Sequence, residues 1–125
     1  MFLKLGSIAL AGAAGTLLRF ALSGIVQRWA GAGFPWGTLA VNVLGCFLFG
    51  VVWMLAENRL VISGETRLIV LVGFMGAFTT FSTFAFETGE LLRESEYLLA
   101  AGNVLVQNGL GIVALFLGWA IGRWL

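Results

Sequence analysis

The chain has no histidine, no aspartate, one cysteine and one proline, and only about a tenth of its 125 residues carry charge. Without histidine, and with Cys46 alone in an apolar run, neither a Cys/His metal cluster nor an internal disulfide can form, and packing is the simplest role for that thiol. Seven Lys and Arg balance six Glu to a net charge of +1, which leaves neither the basic footprint of a nucleic-acid binder nor an acidic tail. No plausible nucleophile and base stand together, and the acids cluster near the ends of apolar runs, which argues against an enzyme. Lipidation motifs, low-complexity tracts and linkers long enough to separate domains are missing too, so residues 1–125 are expected to form one domain.

What is present in their place is apolar: 60% hydrophobic residues and a mean hydropathy of +1.01, against about a quarter charged in a typical soluble domain. Such a composition belongs to an all-α integral membrane protein. A hydrocarbon core about 30 Å thick needs about 20 helical residues, and four stretches qualify, at about 2–26, 34–56, 67–92 and 97–124. The opening MFLKLGSIALAGAAG has the charge, apolar run and small residues of a secretory signal, yet its apolar stretch continues to Val26 and three more follow, so it reads as the first span.

Short polar connections, GAGFP (31–35), ENRLVISGET (57–66) and RESE (93–96), lie between the spans, and Pro35 is tolerated at a helix start. Trp29, Trp36, Trp53, Tyr97 and Trp124 sit near span ends, where amphipathic rings anchor at the headgroups, while Trp119 is deeper. An even number of spans puts both termini on one side. Lys4, Arg59, Arg67 and Arg123 then share that side against Arg28 and Arg93 opposite, a weak bias that is compatible with insertion both ways up and antiparallel pairing of two copies. Many of the 18 glycines fall at small-residue spacings, such as Ala11/Gly15 and Gly118/Gly122, which let helices approach closely.

Few polar residues lie inside the spans. Arg19 in the first either snorkels to the nearer interface or lends positive potential to an anion vestibule. Thr38 and Asn42 in the second share a face, as do Asn103 and Gln107 in the fourth, which also carries Asn108; each pair is either helix–helix glue or the lining of a polar path. In the third span Gly73 and Gly76 precede Thr79, Thr80, Ser82 and Thr83. Glycine tolerates non-helical dihedrals and Ser/Thr favour helix N-caps, so this helix is expected to be interrupted at mid-membrane. Non-helical backbone survives there only in contact with protein or a cavity. Freed carbonyls suit a small cation, and the positive end of the following half-helix suits an anion. Phe81 and Phe84, three apart after the break, can present positive ring edges to a small anion, although such a pair elsewhere is ordinary core or lipid contact.

The run GAFTTFSTFAFE (76–87), with PWGTLAVN (35–42) and GAAGTLLRF (12–20), resembles the Fluc (CrcB) family of bacterial fluoride channels, and the four-span layout extends the likeness to nearly the whole chain. The resemblance implies a passive channel exporting fluoride across the bacterial inner membrane, built as an antiparallel, dual-topology homodimer with two pores and a structural sodium ion at its centre. It makes Phe81 and Phe84 an aromatic box around fluoride and Asn42 an amide that fixes the rings and donates to the ion. Thr38, Ser82 and Thr83 become hydroxyl donors, Arg19 the basic vestibule residue, Gln107 a lining residue of the path on the fourth span, and Glu87 a residue near a pore mouth. The backbone carbonyls of Gly76 and Thr79, used twice through the two-fold, would hold the sodium. Three positions depart from the family pattern: Ala77 stands where a glycine is frequent, Ala85 where a serine is, and Gln107 with Gly111 where serine or histidine and then serine are. Two other classes compete. A small dual-topology cation or drug antiporter would need a membrane-embedded carboxylate, which the interiors of spans one, two and four lack, and a non-transporting scaffold would leave the broken helix and aromatic pair unexplained.

Overall fold

A computed structural model describes residues 1–58 and 62–125; Arg59, counted above with the termini, lies outside them. Among the described residues every regular element is helical: α1 (Phe2–Ala30), α2 (Trp36–Asn58), α3 (Gly64–Leu68), a π-helical stretch (Ile69–Met75), α4 (Gly76–Phe78), α5 (Phe81–Arg93) and α6 (Tyr97–Trp124). Four helical stretches among them are long and apolar enough to cross a membrane, the third running from Gly64 to Arg93 through the π-helix and the break. The first is four residues longer than expected and stops where the positive φ of Gly31 (94°) turns the chain. Pro35 precedes Trp36 at the start of α2, and its carbonyl accepts from the Leu39 N–H at 3.1 Å.

Small residues decide which helices touch. The buried face of α6 is one seam, Ala100, Asn103, Gln107, Gly111, Ala114, Gly118 and Gly122, laid mainly against α2. A Cβ on Gly118 would overlap the Phe47 carbonyl oxygen, and one on Gly50 the Leu115 carbonyl oxygen, so backbone meets backbone where both glycines are bare. Helix α1 packs on the third span in the same way: a Cβ on Gly15 would strike the Phe74 carbonyl, and one on Gly73 would crowd Ile8 and Ala11. The spacing of Ala11/Gly15 and Gly118/Gly122 therefore has the close-approach meaning read from it.

The π-helical stretch was not expected. It occupies the run before the break, where the Gly76 N–H reaches back five residues to the Leu71 carbonyl. The backbone then turns extended at Thr79 (φ −87°, ψ 162°) and Thr80 (φ −151°, ψ 111°), and α5 begins at Phe81. The interruption thus falls on the two threonines, after both glycines. Beyond α5 the RESE turn closes with Glu96 N–H on the Leu91 carbonyl at 2.8 Å. At the other end of the span, Arg67 lies over the Trp53 ring, 5.0 Å from its centroid, joining α3 to the end of α2.

Candidate functional site

Two extended residues inside a span free backbone groups that must find partners, because hydrocarbon offers none. In an unbroken helix the Thr80 N–H would bond the Gly76 carbonyl; here it donates to Asn42 Oδ1 at 2.8 Å, and Asn42 Nδ2 donates to the Thr80 carbonyl at 3.1 Å. One amide on α2 thus grips both polar groups of a single residue. Thr80 in turn caps α5, its Oγ1 accepting from the Thr83 N–H at 3.2 Å and donating to Thr83 Oγ1 at 2.9 Å. The Thr79 carbonyl, which lost Thr83 to that cap, accepts from Arg19 Nη1 at 3.4 Å. Arg19 therefore reaches the backbone of the break. Among the described residues no side chain accepts from the N–H groups of Phe81 and Ser82, the first of α5, so this helix offers a partial positive charge at mid-span.

The break lies between two hollows, both bordered by Thr80. One, about 250 Å³, is lined by Arg19, Thr16, Ser23, Thr38, Thr80 and Thr83. The other, about 330 Å³ and open on one side, includes Asn42, Gly76, Thr79, Phe81, Phe84 and Gln107 in its walls. Phe81 and Phe84 meet there with centroids 5.4 Å apart and planes tilted by 59°. Phe84 is buried, at 8% exposure, while Phe81 is 77% exposed. An apolar ring left so open at the rim of this hollow is a surface that a second molecule can cover.

Glu87 stands apart from the rings, beside a third hollow that it shares with Gln27, Glu90 and Glu94. Its Oε1 accepts from Thr38 Oγ1 at 2.7 Å, so this one hydrogen bond joins the Arg19 hollow to the acidic one; Oε2 is buried with no partner among the described residues. Ser82 lines neither hollow beside the break, and among the described residues its hydroxyl approaches Thr80 Oγ1 alone, at 3.4 Å. Asn108 is exposed on α6, bonding the Val104 carbonyl, and borders the hollow of the rings.

The amides of α2 and α6 turn out to bond both across the two helices and along α6. Asn42 Nδ2 also donates to Gln107 Oε1 at 3.1 Å, and Gln107 Nε2 reaches Asn103 Oδ1 at 3.4 Å. Two residues that sequence reasoning passed over join the arrangement. Thr88 accepts from Asn103 Nδ2 at 2.9 Å, and the only signal for it is its place one turn after Phe84. Gln27 binds the α1–α2 connection: its Nε2 donates to the carbonyls of Gly31 (2.6 Å) and Phe34 (2.9 Å), while its Oε1 accepts from the Gly37 N–H at 2.9 Å. An amide one turn before a glycine- and proline-bearing loop was the available hint. Two of the departures also find their place. The Ala77 methyl faces α1, 4.0 Å from where a Gly12 Cβ would sit, and a Cβ on Gly111 would face the Cys46 sulfur at 3.5 Å.

A four-helix membrane protein whose third span breaks between an arginine-bearing hollow and an aromatic one has the form of an ion-conducting protein. Comparison with known proteins specifies which. The family model described as "CrcB-like protein, Camphor Resistance (CrcB)" matches residues 7–119, and the chain belongs to that family. It is 65% identical to the fluoride-specific ion channel FluC of Nitrosococcus oceani over 98% of both chains, and 57% identical to the FluC of Solidesulfovibrio magneticus over the same share. The FluC of Desulforapulum autotrophicum is 55% identical over 93% of each chain. The shared name is that of a channel and not of an enzyme, in keeping with a sequence that offers no catalytic pair.

Proposed function

We propose that this protein is a passive, fluoride-selective channel of the bacterial inner membrane, a single four-span domain that works as an antiparallel homodimer with two pores. The observation that carries the reading is the interrupted third span, its freed backbone clamped by Asn42 while Phe81 and Phe84 lie in the first turn of α5, just after its Thr80 cap. Fluoride is the ion named for relatives up to 65% identical, and the site suits it chemically. A small, strongly hydrated anion gives up water only where close donors replace it. Ring edges and helix N–H groups attract it without the grip of a full opposite charge, and weak, divided binding is what conduction requires.

The roles divide by what each side chain has free. Asn42 has committed its oxygen and both N–H groups, so it positions the break and leaves donation to others. Gln107 has one N–H in reserve and supplies the amide donor at the wall of the ring hollow. Phe84 is the fixed edge; Phe81 is the edge that a second copy completes. Thr83 lends a hydroxyl to the hollow where Arg19 raises the positive potential, Thr38 lines the same hollow with its proton given to Glu87, Ser82 adds a hydroxyl at the start of α5, and Glu87 stands at the mouth behind Thr38.

A sodium ion fits the carbonyls of the break. Gly76 has lost its helical donor, and Thr79 keeps a lone pair beside the one Arg19 uses; neutral oxygens without a carboxylate suit a hard monovalent cation, and the Ala77 methyl is turned to α1. Two such carbonyls from each copy would hold it, and its charge would bind the two breaks together. The test is efflux from proteoliposomes followed with fluoride and chloride electrodes. Fluoride should leave quickly with chloride retained; equal efflux of both would reject selectivity.

A further inference from the structure

Five hydrogen bonds run in a single sense from the break back to its own span. The Thr80 N–H donates to Asn42 Oδ1 (2.8 Å), Asn42 Nδ2 to Gln107 Oε1 (3.1 Å), Gln107 Nε2 to Asn103 Oδ1 (3.4 Å), Asn103 Nδ2 to Thr88 Oγ1 (2.9 Å) and Thr88 Oγ1 to the Phe84 carbonyl (2.8 Å). A backbone N–H only donates and a carbonyl only accepts, so neither end can reverse. The amides between them are locked in orientation, since turning any one sets donor against donor. Asn103 is wholly buried, at 0% exposure, so water cannot stand in for a lost neighbour.

We infer that Thr88, which lines neither hollow beside the break, is a positioning residue for the anion path. It gives Asn103 the acceptor that turns its oxygen to Gln107, and this holds Gln107 with its second N–H unclaimed at the wall of the ring hollow. Through its bond to the Phe84 carbonyl, the same hydroxyl ties this chain to the turn that carries the buried ring. Without the hydroxyl, Asn103 keeps a buried N–H unpaired or swings to satisfy it, and Gln107 loses its hold. What concerns fluoride in this inference rests on the function proposed above; the linkage itself does not.

Two measurements separate them. In proteoliposomes Thr88→Val, nearly the same size without the hydroxyl, should slow fluoride efflux roughly tenfold and lower its preference over chloride, while Thr88→Ser, which restores donor and acceptor, should stay within about twofold of the unaltered protein. Should Thr88→Val not give folded protein, Thr88→Cys, with its weak donor and acceptor, should show an intermediate loss. In detergent, thermal midpoints of Thr88→Val, Gln107→Leu and the double variant should be non-additive, although the two side chains meet only through Asn103. Fluoride efflux unchanged in Thr88→Val (or in the Cys variant), or additive midpoints, would overturn the inference and leave the channel standing. An unaltered protein that passes no fluoride, with the coupling present, would remove the channel reading and keep the linkage.

Discussion

The two halves of the α6 seam are buried to the same degree and do opposite things. From Gly111 through Ala114, Gly118 and Gly122 the seam is bare, and α2 presses its backbone against it. From Asn103 to Gln107 the same face carries amides, and hydrogen bonds join it to Asn42 of α2 and Thr88 of α5 instead. The bare half gains from dispersion and close approach, and in a bilayer, where apolar surface has no reason to leave lipid, that is what holds helices together. The amide half serves the broken third span, whose freed groups would otherwise stay unpaired. One face thus supplies both the fixed frame and the polar lining of the site.

Filling the bare half should have the largest effect. Gly118→Leu puts a side chain where the Phe47 carbonyl stands, and the expected loss is about 3 kcal/mol or more, seen as a large drop in thermal midpoint or in recovery of folded protein. A Gly118→Leu protein as stable as the original would mean that α2 and α6 do not meet backbone to backbone. In the amide half, Asn42→Leu strips the Thr80 N–H and carbonyl of partners together and should cost about 2–3 kcal/mol, with fluoride efflux abolished even in the fraction that folds. Preserved efflux would show that another group can hold the break. The smallest effect belongs outside the seam: Gly102, on the same helix with open space around it, should accept alanine with a change within about 1 kcal/mol and unaltered efflux.

Much of the frame was legible in the sequence, because apolar runs bounded by GAGFP and RESE have one physical solution in a bilayer. The break was legible to within a few residues, between Gly73 and Phe81, but what holds it was not. Gly73 and Gly76 permit unwinding, yet the interruption settles on Thr79 and Thr80, where Asn42 can reach the backbone, and a contact between residues 38 apart leaves no trace in local composition. The reach of Arg19 to the Thr79 carbonyl was illegible for the same reason. The sharing of polar groups could not be read either. Asn42 looked like a donor to the ion; in the structure its oxygen and both N–H groups meet protein, while among the described residues Gln107 keeps one N–H without a partner. Thr88 and Gln27 matter through the backbone atoms and amides they meet, which residue type alone does not announce.

The central claim is that an anion passes the edges of two rings beside the broken helix. Its most direct test compares initial fluoride efflux from proteoliposomes holding the unaltered protein, Phe81→Leu or Phe84→Leu, each at equal protein content and with its assembly verified. The account predicts that either leucine suppresses efflux while the protein remains folded and paired; full fluoride efflux through both variants would contradict it.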